Sequence, residues 1–357
     1  MALSLRIASL SAVALLLILA VSIPAQTTGQ GPASECASCH ASASLNQSQT
    51  PMGRALQLAG KNPTLLSHPK LTFQKWGFTY LIETKGTEST YSVTDGTKTI
   101  SQPIHWTFGK GAQTWVFERD GVYYESLVSY YPSIDALAVT TGDEGLLPKT
   151  LDEAIGRKLG NMEVKDCFRC HSTRSVTRGQ LDLNSMVEGV TCEHCHQRSN
   201  AHATGGFQGK FAETAPPDLG KLSSEDISNF CGQCHRSWEM VVRGKWRGEI
   251  NVRFQPYRLA NSKCFDGTDP RISCIACHDP HQDVVRNTKS YDAKCLACHT
   301  SRNTVGSDAV RVQARTCPKA TSDCASCHMP EIKLPNGLMT FHDHQIRIVK
   351  PGVPYPD

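Results

Sequence analysis

Few Leu and Val side chains occur beyond about Thr150, so that part of the chain cannot build an ordinary apolar core. Long hydrophobic runs are also missing, with one exception. Ile7 to Ile23 follows Arg6, is rich in Leu and Ala, and is nearly long enough to span a membrane. No other stretch is apolar enough to cross a bilayer, which excludes a polytopic membrane protein. An excess of either charge is lacking too: 37 Lys and Arg stand against 33 Asp and Glu, a formal +4. A basic nucleic-acid surface is not supported. Residues Leu71 to Tyr131 contain no cysteine, so that stretch relies on an apolar face of its own or on packing against another part of the molecule.

What the chain does have is one short pattern repeated seven times. The copies are Cys36-Ala-Ser-Cys39-His40, Cys167-Phe-Arg-Cys170-His171, Cys192-Glu-His-Cys195-His196, Cys231-Gly-Gln-Cys234-His235, Cys274-Ile-Ala-Cys277-His278, Cys295-Leu-Ala-Cys298-His299 and Cys324-Ala-Ser-Cys327-His328. Each is C-x-x-C-H, the attachment site of a c-type haem. Two thiols add across the vinyl groups of one porphyrin and must sit one helical turn apart. The following His then lies under the iron as the proximal ligand. A lone C-x-x-C fits a zinc half-site, a redox dithiol or a disulfide equally well. Seven copies, each with His directly after the second Cys, exclude those readings. Seven covalent haems are expected.

Haem attachment of this kind takes place outside the cytoplasm, so an export signal is expected. Residues 1–26 have that pattern, with Ala25 as a candidate cleavage point and an uncleaved anchor as the alternative. The protein is expected on the periplasmic or extracellular side. Two propionates per haem shift its charge by about −7 when oxidised and about −14 when reduced, so the mature protein should be acidic.

The sequence divides into a first haem segment (27–63), an antiparallel β region (64–149) and a six-haem segment (150–357). The β region is rich in Thr, Tyr, Val, Phe and Trp. Its expected strands are Leu71–Glu83, Thr90–Thr94, Lys98–Pro103, Thr114–Arg119 and Val122–Tyr131, with turns at Asp95-Gly96 and Asp120-Gly121. In the last segment the porphyrins must be the core, wrapped by short helices and loops. The fold class is α+β. Sites packed so densely bring their haems close enough for electrons to hop.

Sixth ligands come from what remains. Beyond the seven proximal His there are seven others among the 14: His68, His105, His194, His202, His281, His342 and His344. A neutral imidazole is the usual partner in a low-spin carrier. His68 precedes the β region and is expected to reach the first haem. His202 follows the third site in a Gly-rich loop. His281 follows the fifth site too closely to serve the same iron and is expected to serve a neighbour. His344 closes the chain. His194, His105 and His342 are weaker candidates, and Met52 is either packing or a thioether ligand. Cys264 and Cys317 stand outside the motifs, and a disulfide between them is the expectation in an oxidising compartment, with a thiolate ligand or free thiol as alternatives.

Several stretches resemble the bacterial multihaem c-type cytochromes related to the tetrahaem cytochromes of ammonia oxidisers. They are Gly189-Val-Thr-Cys-Glu-His-Cys-His196, Gln255-Pro-Tyr-Arg-Leu-Ala-Asn-Ser-Lys-Cys264, Cys274-Ile-Ala-Cys-His-Asp-Pro-His281, Cys324-Ala-Ser-Cys-His-Met-Pro330 and Asp343-His-Gln-Ile-Arg347. The resemblance implies distal roles for His202, His281 and His344. The Gln197-Arg-Ser-Asn-Ala spacer before His202 departs from the family's Gly-rich one. Trp106-Thr-Phe-Gly-Lys-Gly111 looks like an insert of seven-haem relatives. Electron transfer between redox-protein partners is implied, in a complex that is membrane-associated or oligomeric. The alternative is a reductase of a small nitrogen or sulfur compound with one open iron. The C-x-x-C-K site of nitrite-reducing relatives does not occur here. Arg236, Arg243, Lys245 and Arg247 would be the charged groups beside such an iron.

Overall fold

A computed structural model of the chain describes residues 33–299, 304–305, 312–313, 317–350, 352–353 and 355–356. The expected signal segment lies outside the described residues. The β region starts with β1 (Leu56–Leu58). A meander follows: β2 (Lys70–Lys75), β3 (Phe78–Lys85), β4 (Glu88–Thr94) and β5 (Thr99–Pro103). Next come β6 (Trp106–Phe108), β7 (Thr114–Arg119) and β8 (Val122–Glu125). The hairpin β9 (Val128–Tyr131) and β10 (Ala136–Val139) precedes β11 (Arg157–Lys158). The second sheet has the order β1-β6-β7-β8-β11.

Two expected strands are each a pair of strands. Leu71–Glu83 breaks at Trp76-Gly77, where φ is +56° and +82°, and folds back with Phe73 opposite Tyr80. Two successive residues with positive φ make a hairpin turn whose twist matches its strands. The Gly was legible as a turn residue; the Trp beside it reads as strand and hid the turn. Val122–Tyr131 breaks at Ser126-Leu127, where Ser126 Oγ donates to the Val128 carbonyl at 2.7 Å. At Asp120-Gly121 φ is +52° and +76°, as that dipeptide predicts.

The pleat explains the core. Along β3, Phe78, Tyr80 and Ile82 point inward, and the same face of β4 supplies Tyr91 and Val93. They meet Trp115 and Phe117 from the second sheet, and Leu127 from the turn after β8, in one apolar cluster. The β region therefore holds itself together. A second cluster lies on the far side of the five-stranded sheet. There Leu56, Phe108 and Val116 receive Leu159, Val164 and Phe168. Phe168 belongs to the helix Asn161–His171, which carries the second C-x-x-C-H site. Its ring is edge-on to Trp106 and Phe108, with both centroids at 5.2 Å. The sheet thus seats that site. Beyond residue 190, the one apolar cluster among the described residues is Val241, Phe254 and Tyr257. Phe168→Ala should therefore cost about 3–5 kcal/mol, read as a lowered denaturation midpoint of the mature protein.

Candidate haem-binding site

Each C-x-x-C-H sits in or just after a helical turn, and the backbone shows why the spacing works. The amides of His40, His196, His278 and His299 donate to the carbonyls of Cys36, Cys192, Cys274 and Cys295 at 2.8–3.0 Å. These i to i+4 bonds set His one turn beyond the first Cys. Caps start two of the turns: Ser223 Oγ accepts from the Asp226 amide at 3.1 Å, and Ser273 Oγ from the Ala276 amide at 3.3 Å.

All seven motif histidines, and all motif cysteines except Cys167 and Cys327, line one cavity of about 3250 Å³. A pocket for one small molecule is roughly 300–1,000 Å³, so this space suits several large groups. Thiols of different copies are neighbours across it. Cys36 lies near enough to Cys192, Cys170 to Cys234, Cys231 to Cys274, and Cys295 to Cys324 for the thiols of each pair to perturb one another.

The imidazoles are arranged in facing pairs. Ring centroids of His40 and His202 lie 6.4 Å apart, those of His196 and His281 5.9 Å, and those of His278 and His344 6.1 Å. A metal–imidazole nitrogen bond is about 2 Å, and the ring centre lies about 1 Å beyond the nitrogen. Two imidazoles on opposite sides of one metal therefore have centroids about 6 Å apart. Direct ring contact would bring them closer. Each pair joins a motif His to one of the expected distal residues.

Hydrogen bonds at Nδ1 orient these rings. His344 Nδ1 donates to the His342 carbonyl at 3.0 Å, and His278 Nδ1 lies 3.4 Å from the Tyr291 hydroxyl, which itself donates to the Val285 carbonyl. His171 Nδ1 donates to the Ala55 carbonyl at 3.0 Å, and His328 Nδ1 to that of Arg347 at 2.9 Å. A carbonyl only accepts, so the proton is on Nδ1 and Nε2 keeps a lone pair for a metal. His281 Nδ1 lies 3.2 Å from Asp279 Oδ1. Burial pushes His344 down to about 4 and lowers His171, His196, His235 and His278 as well. They are neutral near pH 7, the form that binds iron. Nδ1 of His202 is buried without a hydrogen-bond partner among the described residues. The donor set, the ring spacing and the cavity all fit haem.

Other expectations need correction. His68 does not reach the first site. Its Nδ1 donates to the Thr64 carbonyl at 2.7 Å, its Nε2 lies 3.1 Å from Asp135 Oδ1, and it is absent from the cavity wall. Both nitrogens are occupied by the β region. His105 is exposed beside Trp106, also away from the cavity. His194, His342 and Met52 line the cavity. His342 Nδ1 donates to the Met329 carbonyl at 2.8 Å, and its Nε2 faces Glu331 at 3.4 Å. No disulfide joins Cys264 to Cys317 in this structure. Cys264 is desolvated near Cys295 and Cys298, whereas backbone amides of Ala320 and Lys319 stabilise the Cys317 thiolate. The basic residues of the alternative reductase reading do not converge on the cavity. Arg243, Lys245 and Arg247 are exposed, Arg243 pairs with Glu239, and Arg236 lies over the Trp246 ring outside the cavity.

One element carried no role in the sequence reading. Arg258, in the helix Gln255–Ala260, donates to both carboxylate oxygens of Asp343 at 2.8 and 2.9 Å, with the two side chains 1% and 0% exposed. It also donates to Gln345 Oε1 and to the Pro356 carbonyl, and lies over the Tyr355 ring. Burial would raise the Asp343 carboxyl, but the bonds from Arg258 hold it below its ordinary range. Arg347 pairs with Asp343 too. This cluster fixes the segment that presents His344 to His278. Nothing in the separate strings Gln-Pro-Tyr-Arg and Asp-His-Gln-Ile-Arg said that they would meet.

Residues 148–197, which include the second and third sites, match the model of the cytochrome c554 and c-prime family. These observations support a multihaem c-type cytochrome with covalently bound haem iron. The fold is similar to that of the outer cell wall cytochrome OcwA, with a TM-score of 0.50 at 13% identity, covering 88% of this chain and 79% of that one. No curated protein sequence matches the chain.

Arg258→Ala should cost about 3–5 kcal/mol in holoprotein denaturation by removing the two-pronged partner of the buried Asp343 and leaving it Arg347 alone. Adding Asp343→Ala should recover part of that loss, since the two residues act as one unit.

Proposed function

We propose that the chain is an exported heptahaem cytochrome that moves electrons along a continuous array between a redox-protein donor and acceptor. The observation that carries this reading is the set of facing imidazoles at 5.9–6.4 Å. Covalent c-type haem supplies reversible one-electron chemistry at iron. The chain's part is to hold the sites in sequence and, at the first, third and fifth, to bring a second imidazole to face the motif histidine.

The ligation scheme interlocks the sites. His202, facing the first site, lies in the helix Ser199–Phe207 that begins just after His196 of the third. His281, facing the third site, is three residues beyond His278 of the fifth, and three residues span at most about 11 Å. His344 closes the fifth. Moving one site therefore moves the ligand of the next, which holds the spacing fixed. The shared thiol contacts extend the array from the third site's neighbours to the second and fourth, and join the sixth to the seventh.

An exported location fits the chemistry of attachment, the Ile7–Ile23 run and the likeness to an outer cell wall cytochrome. Among the described residues no helix is long and apolar enough to cross a membrane. The residues 64–149 form the self-supporting region of the protein, and 150–357 the part built around six sites.

Mature protein should carry seven porphyrin masses. His281→Ala should retain all seven, because the thioethers are covalent, yet convert one low-spin iron and slow electron passage through the array. An unchanged low-spin count would contradict the assignment of His281 to the third site.

A further inference from the structure

All fourteen histidines of the sequence lie among the described residues, so their places can be counted without remainder. Seven are proximal. Three of the others, His202, His281 and His344, face the first, third and fifth sites. The second, fourth, sixth and seventh sites, on His171, His235, His299 and His328, draw on the four left: His68, His105, His194 and His342. Two of these stand apart from the cavity that every proximal His lines. His68 has Thr64 on one nitrogen and Asp135 on the other, and its ring packs 5.3 Å from that of Tyr130. His105 is exposed, with its ring 5.5 Å from that of Trp106, and does not line the cavity. Only His194 and His342 remain for four irons.

We infer that at least two of the four sites on His171, His235, His299 and His328 take a sixth ligand that is not a histidine of this chain. This rests on the heptahaem reading and divides the array into two kinds of iron. The first, third and fifth sites form a bis-imidazole ladder. The other four include positions left to a thioether, for which Met52, Met329 and Met339 line the cavity, or to a small ligand from solution. Exchanging imidazole for thioether raises an iron's potential, and an open position admits substrate. Either outcome makes the array energetically uneven, with the second kind of site as its place of electron storage or exit.

The test is a count made at a dilution where the protein is monomeric. Near-infrared magnetic circular dichroism separates bis-imidazole irons from imidazole–thioether and high-spin ones, and a mass measured on the same sample gives the number of haems. Seven haems with no more than five bis-imidazole irons is the expected result. Six or seven bis-imidazole irons overturns the inference, whereas fewer than seven haems overturns the reading beneath it. The variants His68→Ala and His105→Ala should each leave the spectrum of the oxidised protein unchanged. Loss of one bis-imidazole iron in either would likewise overturn it.

Discussion

The first motif and the chain beyond residue 150 together wall a large space lined by all seven motif histidines, and the rest of the molecule is arranged around it. Burial of a Leu or Phe side chain stabilises a fold by about 1.5–3 kcal/mol, but among the described residues past 190 the apolar clustering amounts to Val241, Phe254 and Tyr257. The cavity is instead walled by motif histidines and cysteines. Porphyrin faces bonded to those thiols would supply the missing apolar surface. The same residues would fix its position, with two cysteines and a histidine of each motif holding one haem.

The β region stands in contrast. Its two sheets close on an aromatic core of their own, and the outer face of the second sheet clamps Phe168. It gives the helix of the second site a rigid seat. The buried Arg258–Asp343 pair does the equivalent work at the other end, where the segment bearing His344 has few apolar contacts to hold it. Polar anchoring there replaces hydrophobic anchoring, at the cost of desolvating two charges.

The sequence made the chemistry of attachment plain because covalent spacing is local: Cys, Cys and His fall within five residues. The hairpin at Asp120-Gly121 was equally local. The distal partners were only half legible. His281 was too near its own site to ligate it, which pointed to a neighbour but not to which one; in the fold its ring faces His196 of the third site. His68 looked eligible because nothing nearby in sequence announces Asp135, its partner 67 residues away. Cys264 and Cys317 looked like a pair by elimination, yet they occupy different surroundings. In each case the deciding contact is long-range.

The most direct test of a haem-built core is amide hydrogen exchange on chain produced without haem attachment, followed segment by segment. Protection should persist in the strands between Lys70 and Val139 and be lost from Cys192 to Arg347. Protection of the 192–347 backbone in the absence of porphyrin would show that the polypeptide holds its own shape there, and would contradict the central claim.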